Sequence, residues 1–95
     1  MLIFKKGKYM KLKFDFIIQT MGDQYCASPV DINNFNGVLF FSEVGKTVFE
    51  ELMIGIEEDE LIDKIIKKYI GDKLEIKKEI DKFLNILKEN QLLEF

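Results

Sequence analysis

Few residues in this chain have side chains of the kinds that catalyse reactions or hold metal ions. There is no histidine, and Cys26 is the single cysteine. A Ser–His–Asp or Cys–His arrangement therefore cannot form within the chain, and neither can a zinc or copper site built from soft ligands. The six glycines are scattered and make no phosphate-binding loop. We predict that the protein is not an enzyme and uses no cofactor.

The charged residues and the single cysteine are explained more simply by structural roles than by metal binding or catalysis. Residues 57–60 are four consecutive acids, which suit the positive end of a helix dipole better than a metal ion. Cys26 falls in a predicted strand, where a buried thiol is expected to be a small core residue. All 14 basic residues are lysine and the net charge is −3. Without an arginine fork for guanine edges or phosphates, we expect no nucleic-acid partner.

Length and composition predict one domain without a membrane segment. The chain has 95 residues, of which 47% are hydrophobic, and no apolar run approaches the roughly 20 residues of a membrane helix. The N-terminus lacks the pattern of a signal peptide, and a lone cysteine agrees with a reducing compartment. We therefore expect a cytoplasmic protein with no membrane partner. Residues 1–12 are lysine-rich and irregular, so we predict a flexible extension there and a domain over residues 13–95.

Residues 14–41 predict three short strands. Residues 14–21 and 24–30 are rich in β-forming side chains and are separated by Gly22-Asp23, a plausible two-residue turn. Pro29 stands near the end of the second strand, where a missing N–H disturbs pairing least. The third strand, residues 38–41, follows the turn signal Asn36-Gly37. Alternation places Val38 and Phe40 on one of its faces.

The rest of the chain predicts three helices. The first runs over residues 43–53 with Ser42 as its N-cap, the second begins at the acidic residues 57–60, and the third begins at Asp72. The third helix carries a regular apolar stripe, with Ile86 at its margin. Three strands followed by three helices favour an α+β fold like a winged helix-turn-helix domain, with a three-stranded antiparallel sheet.

The order and spacing of several segments resemble the PqqD-like family, which is named for the pyrroloquinoline quinone biosynthesis protein D and includes the RiPP recognition elements. The resemblance covers residues 11–95. Its carriers are Tyr25, Pro29-Val30, residues 35–45 (FNGVLFFSEVG), residues 49–52 (FEEL), residues 60–62 (ELI), Lys68-Tyr69, residues 83–87 (FLNIL) and Leu92-Leu93.

This resemblance implies a winged-helix fold that binds the leader segment of a ribosomally made precursor peptide and presents it to a modifying enzyme, often a radical SAM protein. The leader is expected to add as a strand beside the third strand and to lie against the third helix. Leu39→Pro would then abolish binding by removing a ladder donor. The implied peptide-binding residues are Val38, Leu39, Phe40, Phe41, Lys82, Phe83, Ile86, Leu87 and Asn90.

Other interpretations of the same residues remain open. Phe83 and Leu87 also fit the core, and Lys82 also fits a solvated surface. Phe40 makes the outer face of the third strand more apolar than the resemblance leads one to expect, which suits a hydrophobic leader, a partner-protein contact or a homodimer. A DNA-binding winged helix is disfavoured, because Lys77, Lys78, Lys82 and Lys88 of the third helix are balanced by Glu75, Glu79, Asp81 and Glu89.

Overall fold

The structure, a computed structural model, describes residues 8–94. Two small antiparallel sheets and three helices pack around one core, and the predicted α+β class, with a three-stranded antiparallel sheet followed by three helices, is confirmed. The elements in chain order are β1 (Tyr9–Leu12), β2 (Phe16–Met21), β3 (Gln24–Pro29), β4 (Leu39–Phe41), α1 (Glu43–Ile54), β5 (Ile56–Glu57), α2 (Glu58–Lys68), α3 (Lys73–Glu89) and β6 (Leu93–Glu94).

The predicted sheet has the strand order β2-β3-β4. Met21 pairs with Gln24 across a two-residue turn, and Gly22 has a φ of 64°, the left-handed conformation that such a turn needs. Pro29 is the last residue of β3, as expected. β4 pairs with β3 alone, so one edge of β4 is unpaired within residues 8–94.

The junction between β4 and α1 is built as the sequence indicates. The Ser42 hydroxyl caps α1 by accepting the backbone N–H of Gly45 at 3.4 Å. Val48 and Leu52 are buried, while the predicted core residue Val44 is half-buried. Gly55 ends the helix with a φ of 105°, a conformation that favours glycine.

The remaining two helices bury the apolar stripes that their sequences predict. Leu61 and Ile65 of α2 are fully buried, and Asp72 caps α3 by accepting the N–H of Leu74 at 2.8 Å. The buried residues of α3 are Ile76, Ile80, Leu84 and Leu87. Three of the four consecutive acids lie in the first turn of α2, the position where a helix dipole favours negative charge.

The second sheet, β5-β1-β6, corrects the prediction of a flexible extension over residues 1–12. Residues 1–7 lie outside the described residues, but Tyr9–Leu12 is the central strand of this sheet, with Met10 and Leu12 buried. β1 pairs with β5 after α1 and with β6 near the C-terminus. β1 has four residues, of which Tyr9 and Lys11 are exposed, and its partners are distant in sequence, so no strong local signal points to it. Near the C-terminus, Leu92 and Leu93 return to the core and are buried.

Candidate functional site

A groove with a cavity volume of ≈ 310 Å³ lies between the end of β4, the first turns of α1 and the middle of α3. Its walls are mostly aliphatic and aromatic. The lining residues are Phe40, Phe41, Ser42, Val44, Gly45, Val48, Glu79, Ile80, Lys82, Phe83 and Ile86. An apolar depression with a few polar groups at its rim is the usual form of a ligand site in proteins.

Packed aromatic rings form the floor of the groove. Phe41 stacks on Phe49 with ring centroids 5.3 Å apart and meets Phe83 edge-on at 5.6 Å. Phe49 is fully buried, whereas Phe83 is half-buried. The floor is therefore anchored in the core, and a side chain that enters the groove meets a rigid surface.

Close packing of α1 against β4 shapes one wall. A Cβ atom at Gly45 would lie 2.7 Å from the Cβ of Phe41, a separation that real side chains do not tolerate. Only glycine at this position lets the helix approach the strand so closely. The Phe41 backbone and the first turn of α1 therefore lie side by side at the rim of the groove.

A hydrogen bond connects this junction to α3. The Ser42 hydroxyl, which caps α1, also donates to Oε1 of Glu79 at 3.0 Å. The bond joins two elements that are far apart in sequence across the mouth of the groove. It sets the separation between the end of β4 and α3.

The rim carries one acid and one base, Glu79 and Lys82. Among the described residues, no salt bridge links Lys82 to an acid. Its ammonium group is exposed on the groove side of α3. The hydrogen bond with Asp63 raises the pKa of Lys67 above its ordinary value, but neither residue of that pair lines the groove.

The register of the sheet shows to which neighbouring strand each residue directs its backbone N–H and C=O groups. The Val30 N–H donates to the Asp15 C=O at 3.0 Å, so these residues are a hydrogen-bonded pair just beyond the β2–β3 ladder. Hydrogen-bonded and non-hydrogen-bonded pairs alternate along an antiparallel ladder. Every second residue of β3, counted from Val30, therefore bonds to β2, and the residues between them direct their N–H and C=O groups to β4.

Phe40 is consequently the residue of β4 that directs its backbone outward. Tyr25 and Ala27 direct their groups to β4, where they face Phe41 and Leu39. Phe40 lies between these two, opposite Cys26, and its N–H and C=O point to the unpaired edge. The Leu39 N–H therefore serves the bond to β3, so Leu39→Pro would remove a donor of the β3–β4 ladder rather than a donor to the ligand.

The structure brings five of the nine predicted binding residues to the groove: Phe40, Phe41, Lys82, Phe83 and Ile86. The others lie elsewhere. Leu87 is fully buried in the core, and Leu39 is half-buried against it. Asn90 caps the end of α3, where its Nδ2 donates to the Ile86 C=O at 2.8 Å. Val38 is exposed and borders a separate depression beside Ile32 and Gly37.

Sequence reasoning missed the contribution of α1 and of one turn of α3. Val44 and Gly45 lie within residues 35–45, which carry the resemblance, and Val48 lies just after that segment. The helical spacing of Val44 and Val48 indicates only a buried face. Glu79 lies one turn before the predicted residues of α3. Its distance from Ser42 along the chain leaves no sequence signal for their hydrogen bond.

Several other kinds of site are missing from the described part of the chain. Residues 8–94 contain no group of three or more metal-ligating side chains, and Cys26 is buried without a disulfide partner. None of the helices described there is long and apolar enough to cross a membrane. The cytoplasmic location stays a prediction.

Comparison with known proteins gives one informative likeness. A solved structure described as TbiB1 in complex with the TbiA(beta) leader peptide superposes with a TM-score of 0.65 over 88% of this chain and 94% of that one, at 20% sequence identity. At this identity the likeness shows a shared fold. No protein-family model and no curated protein matches the chain.

Proposed function

We propose that this protein is a non-catalytic module that binds the leader segment of a ribosomally made precursor peptide by strand addition at β4. The observation that carries the proposal is the unpaired edge of β4 beside a mostly apolar groove. An extended peptide on this edge gains main-chain bonds and places alternate side chains in a pocket, a common mode of peptide recognition. The similar fold of TbiB1, described in complex with a leader peptide, supports the same ligand class.

The groove supplies more of the binding free energy than the strand edge does. Phe40 is the residue of β4 with both backbone groups directed outward, and each added hydrogen bond contributes a net of about 0.5–1.5 kcal/mol. Each large apolar side chain buried in the groove contributes about 1.5–3 kcal/mol. We therefore expect affinity to depend on apolar residues of the peptide, with the backbone bonds fixing its direction and register.

A modifying enzyme completes the proposal. The groove offers an apolar floor, two rim charges and the Ser42 hydroxyl, which already caps α1 and donates to Glu79. We expect the bound peptide to be altered by a separate enzyme, for example a radical SAM protein. A PqqD-like role in presenting the leader fits this arrangement. The recognition domain that we propose includes Tyr9–Leu12, since Met10 and Leu12 belong to its core.

A homodimer through β4 is the second candidate. Phe40 is 60% exposed beside the unpaired strand edge, and two such edges can pair with each other. Light scattering distinguishes the two candidates, because only the dimer requires a doubled molar mass without peptide. Phe40→Ser would return such a dimer to the monomer.

The direct test is fluorescence anisotropy with labelled leader peptides of the small precursors encoded beside this protein. We expect saturable binding with a Kd of about 1 µM or below, equivalent to about −8 kcal/mol. Ile86, which is 40% exposed in the groove, provides the matched variant. Ile86→Asp should weaken binding at least about tenfold, because it places a charge where apolar side chains are buried.

Ile17→Asp is the control for that variant. Ile17 is 54% exposed on β2 and does not line the groove, so its replacement should change the Kd less than twofold. Equal effects of the two aspartates, or the absence of binding to every neighbouring leader peptide, would contradict the proposed function.

A further inference from the structure

Phe40 occupies a position where an added strand would meet both its backbone and its side chain. Its N–H and C=O point to the unpaired edge, as the register requires. Its side chain points to the outer face of the sheet, away from the core that holds Phe41, and stays 60% exposed. Single exposed apolar side chains are common on protein surfaces, so Phe40 is distinguished by its exposure together with the unpaired strand edge beside it.

Within residues 8–94, Phe40 has a neighbouring strand on one side only. On that side, Cys26 of β3 stands directly opposite and is only 3% exposed, although it also belongs to the outer face. Cys26 is therefore one cross-strand neighbour of Phe40. A ligand residue on the unpaired edge would be its second cross-strand neighbour on the same face.

We propose that Phe40 determines specificity for a large apolar side chain at the ligand position directly opposite it. This inference rests on the proposed strand addition. Side chains of a strand alternate between faces, so the ligand residues on either side of that position point to the groove. The ligand is then an extended segment with three consecutive apolar residues, the first and third directed to the groove and the middle one covering Phe40.

A peptide fits this surface better than a second copy of the chain. In a pairing of two β4 strands, the side chains directed to the groove would be Leu39 and Phe41 of the other copy. Phe41 is 8% exposed and Leu39 packs against the core. In each copy these two side chains are therefore held by their own core and do not reach the groove of the other copy. The groove would stay empty, whereas a free peptide fills the groove and covers Phe40 together.

Selection from a display library of random 12-residue peptides tests the proposal, with the full chain and its Phe40→Thr variant as targets. Threonine is also a good β former at an exposed position, and thermal unfolding checks that the variant folds. Wild-type protein should select a three-residue apolar pattern. The variant should retain the two groove positions and lose the preference at the middle one.

Individual peptides then give the size of the effect. Replacing the middle residue by Ser should weaken binding to wild-type protein about three- to tenfold, as expected for an aromatic cross-strand contact. The same replacement should change binding to Phe40→Thr less than twofold. A larger effect on wild-type protein than on Phe40→Thr would show that Phe40 contacts the middle residue of the peptide directly, since a general loss of affinity would be equal for both proteins.

Each contrary result points to a different failure. Peptides with the same middle preference on both targets would overturn the role of Phe40 and leave strand addition in place. No enrichment on either target would overturn both proposals. A wild-type dimer that Phe40→Thr dissociates and that no selected peptide displaces would assign this face to a second copy instead.

Discussion

Within residues 8–94, the β2-β3-β4 sheet has two unpaired edges, which differ in what stands beside them. β2 is the longer edge, with six residues, and exposes Ile17 and Met21 at 54% and 55%. β4 has three residues. By length and unpaired backbone alone, β2 would be the better place for an added strand. Yet no residue of β2 lines the groove, whereas β4 forms one of its walls.

The comparison shows that an open edge is necessary but insufficient for specific strand addition. Both strands have a carboxylate near one end, with Asp15 directly before β2 and Glu43 two residues after β4, so charge does not separate the two edges. The difference lies after β4, where the Ser42 hydroxyl joins α1 to α3. Main-chain bonds are the same for every peptide, so recognition depends on the groove beside β4.

The largest expected effect comes from proline at the outward-facing position of β4. Phe40→Pro removes the N–H that faces the ligand, and an edge strand tolerates proline where its N–H faces solvent. A ligand carbonyl then loses its donor, at a cost of about 1–3 kcal/mol. Binding should weaken about 5- to 150-fold relative to Phe40→Ala, measured by anisotropy with the same labelled peptide.

Thr20→Pro is the matched change at the other edge. By the same alternation, the Thr20 N–H faces the unpaired edge of β2, and its side chain is exposed. Binding should stay within twofold of wild type. A strong loss with Thr20→Pro, in a protein that still unfolds cooperatively, would place the peptide on β2 and reverse the comparison.

The second prediction concerns the close approach of α1 to β4, which has no counterpart at β2. Gly45→Ala forces a Cβ to within 2.7 Å of the Phe41 Cβ, which is backbone-proximal and cannot rotate away. Overpacking of this kind costs about 1–3 kcal/mol, partly offset by about 1 kcal/mol of helix propensity. We expect a net loss of up to about 2 kcal/mol, seen as a lower Tm in a thermal unfolding experiment.

Gly71→Ala provides the comparison for that loss. A Cβ there meets only Cδ1 of Ile76, at the ordinary distance of 3.7 Å, so stability should change by less than about 0.5 kcal/mol. Equal destabilisation by the two alanines would mean that the contact with Phe41 relaxes freely. The rigid wall of the groove would then be refuted.

Much of the fold was predictable because its signals are local. Gly22-Asp23 defines a hairpin, Ser42 and Asp72 cap helices, and apolar residues at helical spacing mark the buried faces of α1, α2 and α3. The β5-β1-β6 sheet escaped prediction because two of its strands have two residues each. Its central strand also pairs across almost the whole chain length, so only the assembled core reveals it.

The candidate site was predictable in its elements but not in its individual residues. Periodicity identifies the apolar stripe of α3, yet it does not tell which members of the stripe face the core. Leu87, which fits either the core or the ligand by its spacing, is fully buried, whereas Ile86 lies in the groove. The direction of each backbone N–H in β4 depends on the register with β3, so the sequence alone does not separate Leu39 from Phe40.

A smaller effect is expected at the hydrogen bond across the mouth of the groove. Glu79→Ala removes the acceptor of the Ser42 hydroxyl, and a bond between exposed groups is worth about 0.5–1 kcal/mol. Peptide affinity should fall about two- to fivefold by titration calorimetry. Glu79→Gln retains a side-chain oxygen and should stay within twofold. If both variants weaken binding equally, Glu79 acts through its charge on the ligand rather than by positioning α3.

The smallest effect is expected at the rim of α3. Lys82 lines the groove with an exposed ammonium group, so an acidic residue of the peptide gains at most about 1 kcal/mol from it. Lys82→Gln should weaken binding less than about fivefold, and Lys77→Gln, on the same helix but outside the groove, should have no effect. Raising the salt to about 1 M, where the Debye length is ~3 Å, should erase the difference between wild type and Lys82→Gln. A difference that persists at high salt would mean that the aliphatic stem of Lys82 contacts the peptide, and Lys82 would then contribute by apolar packing rather than by its charge.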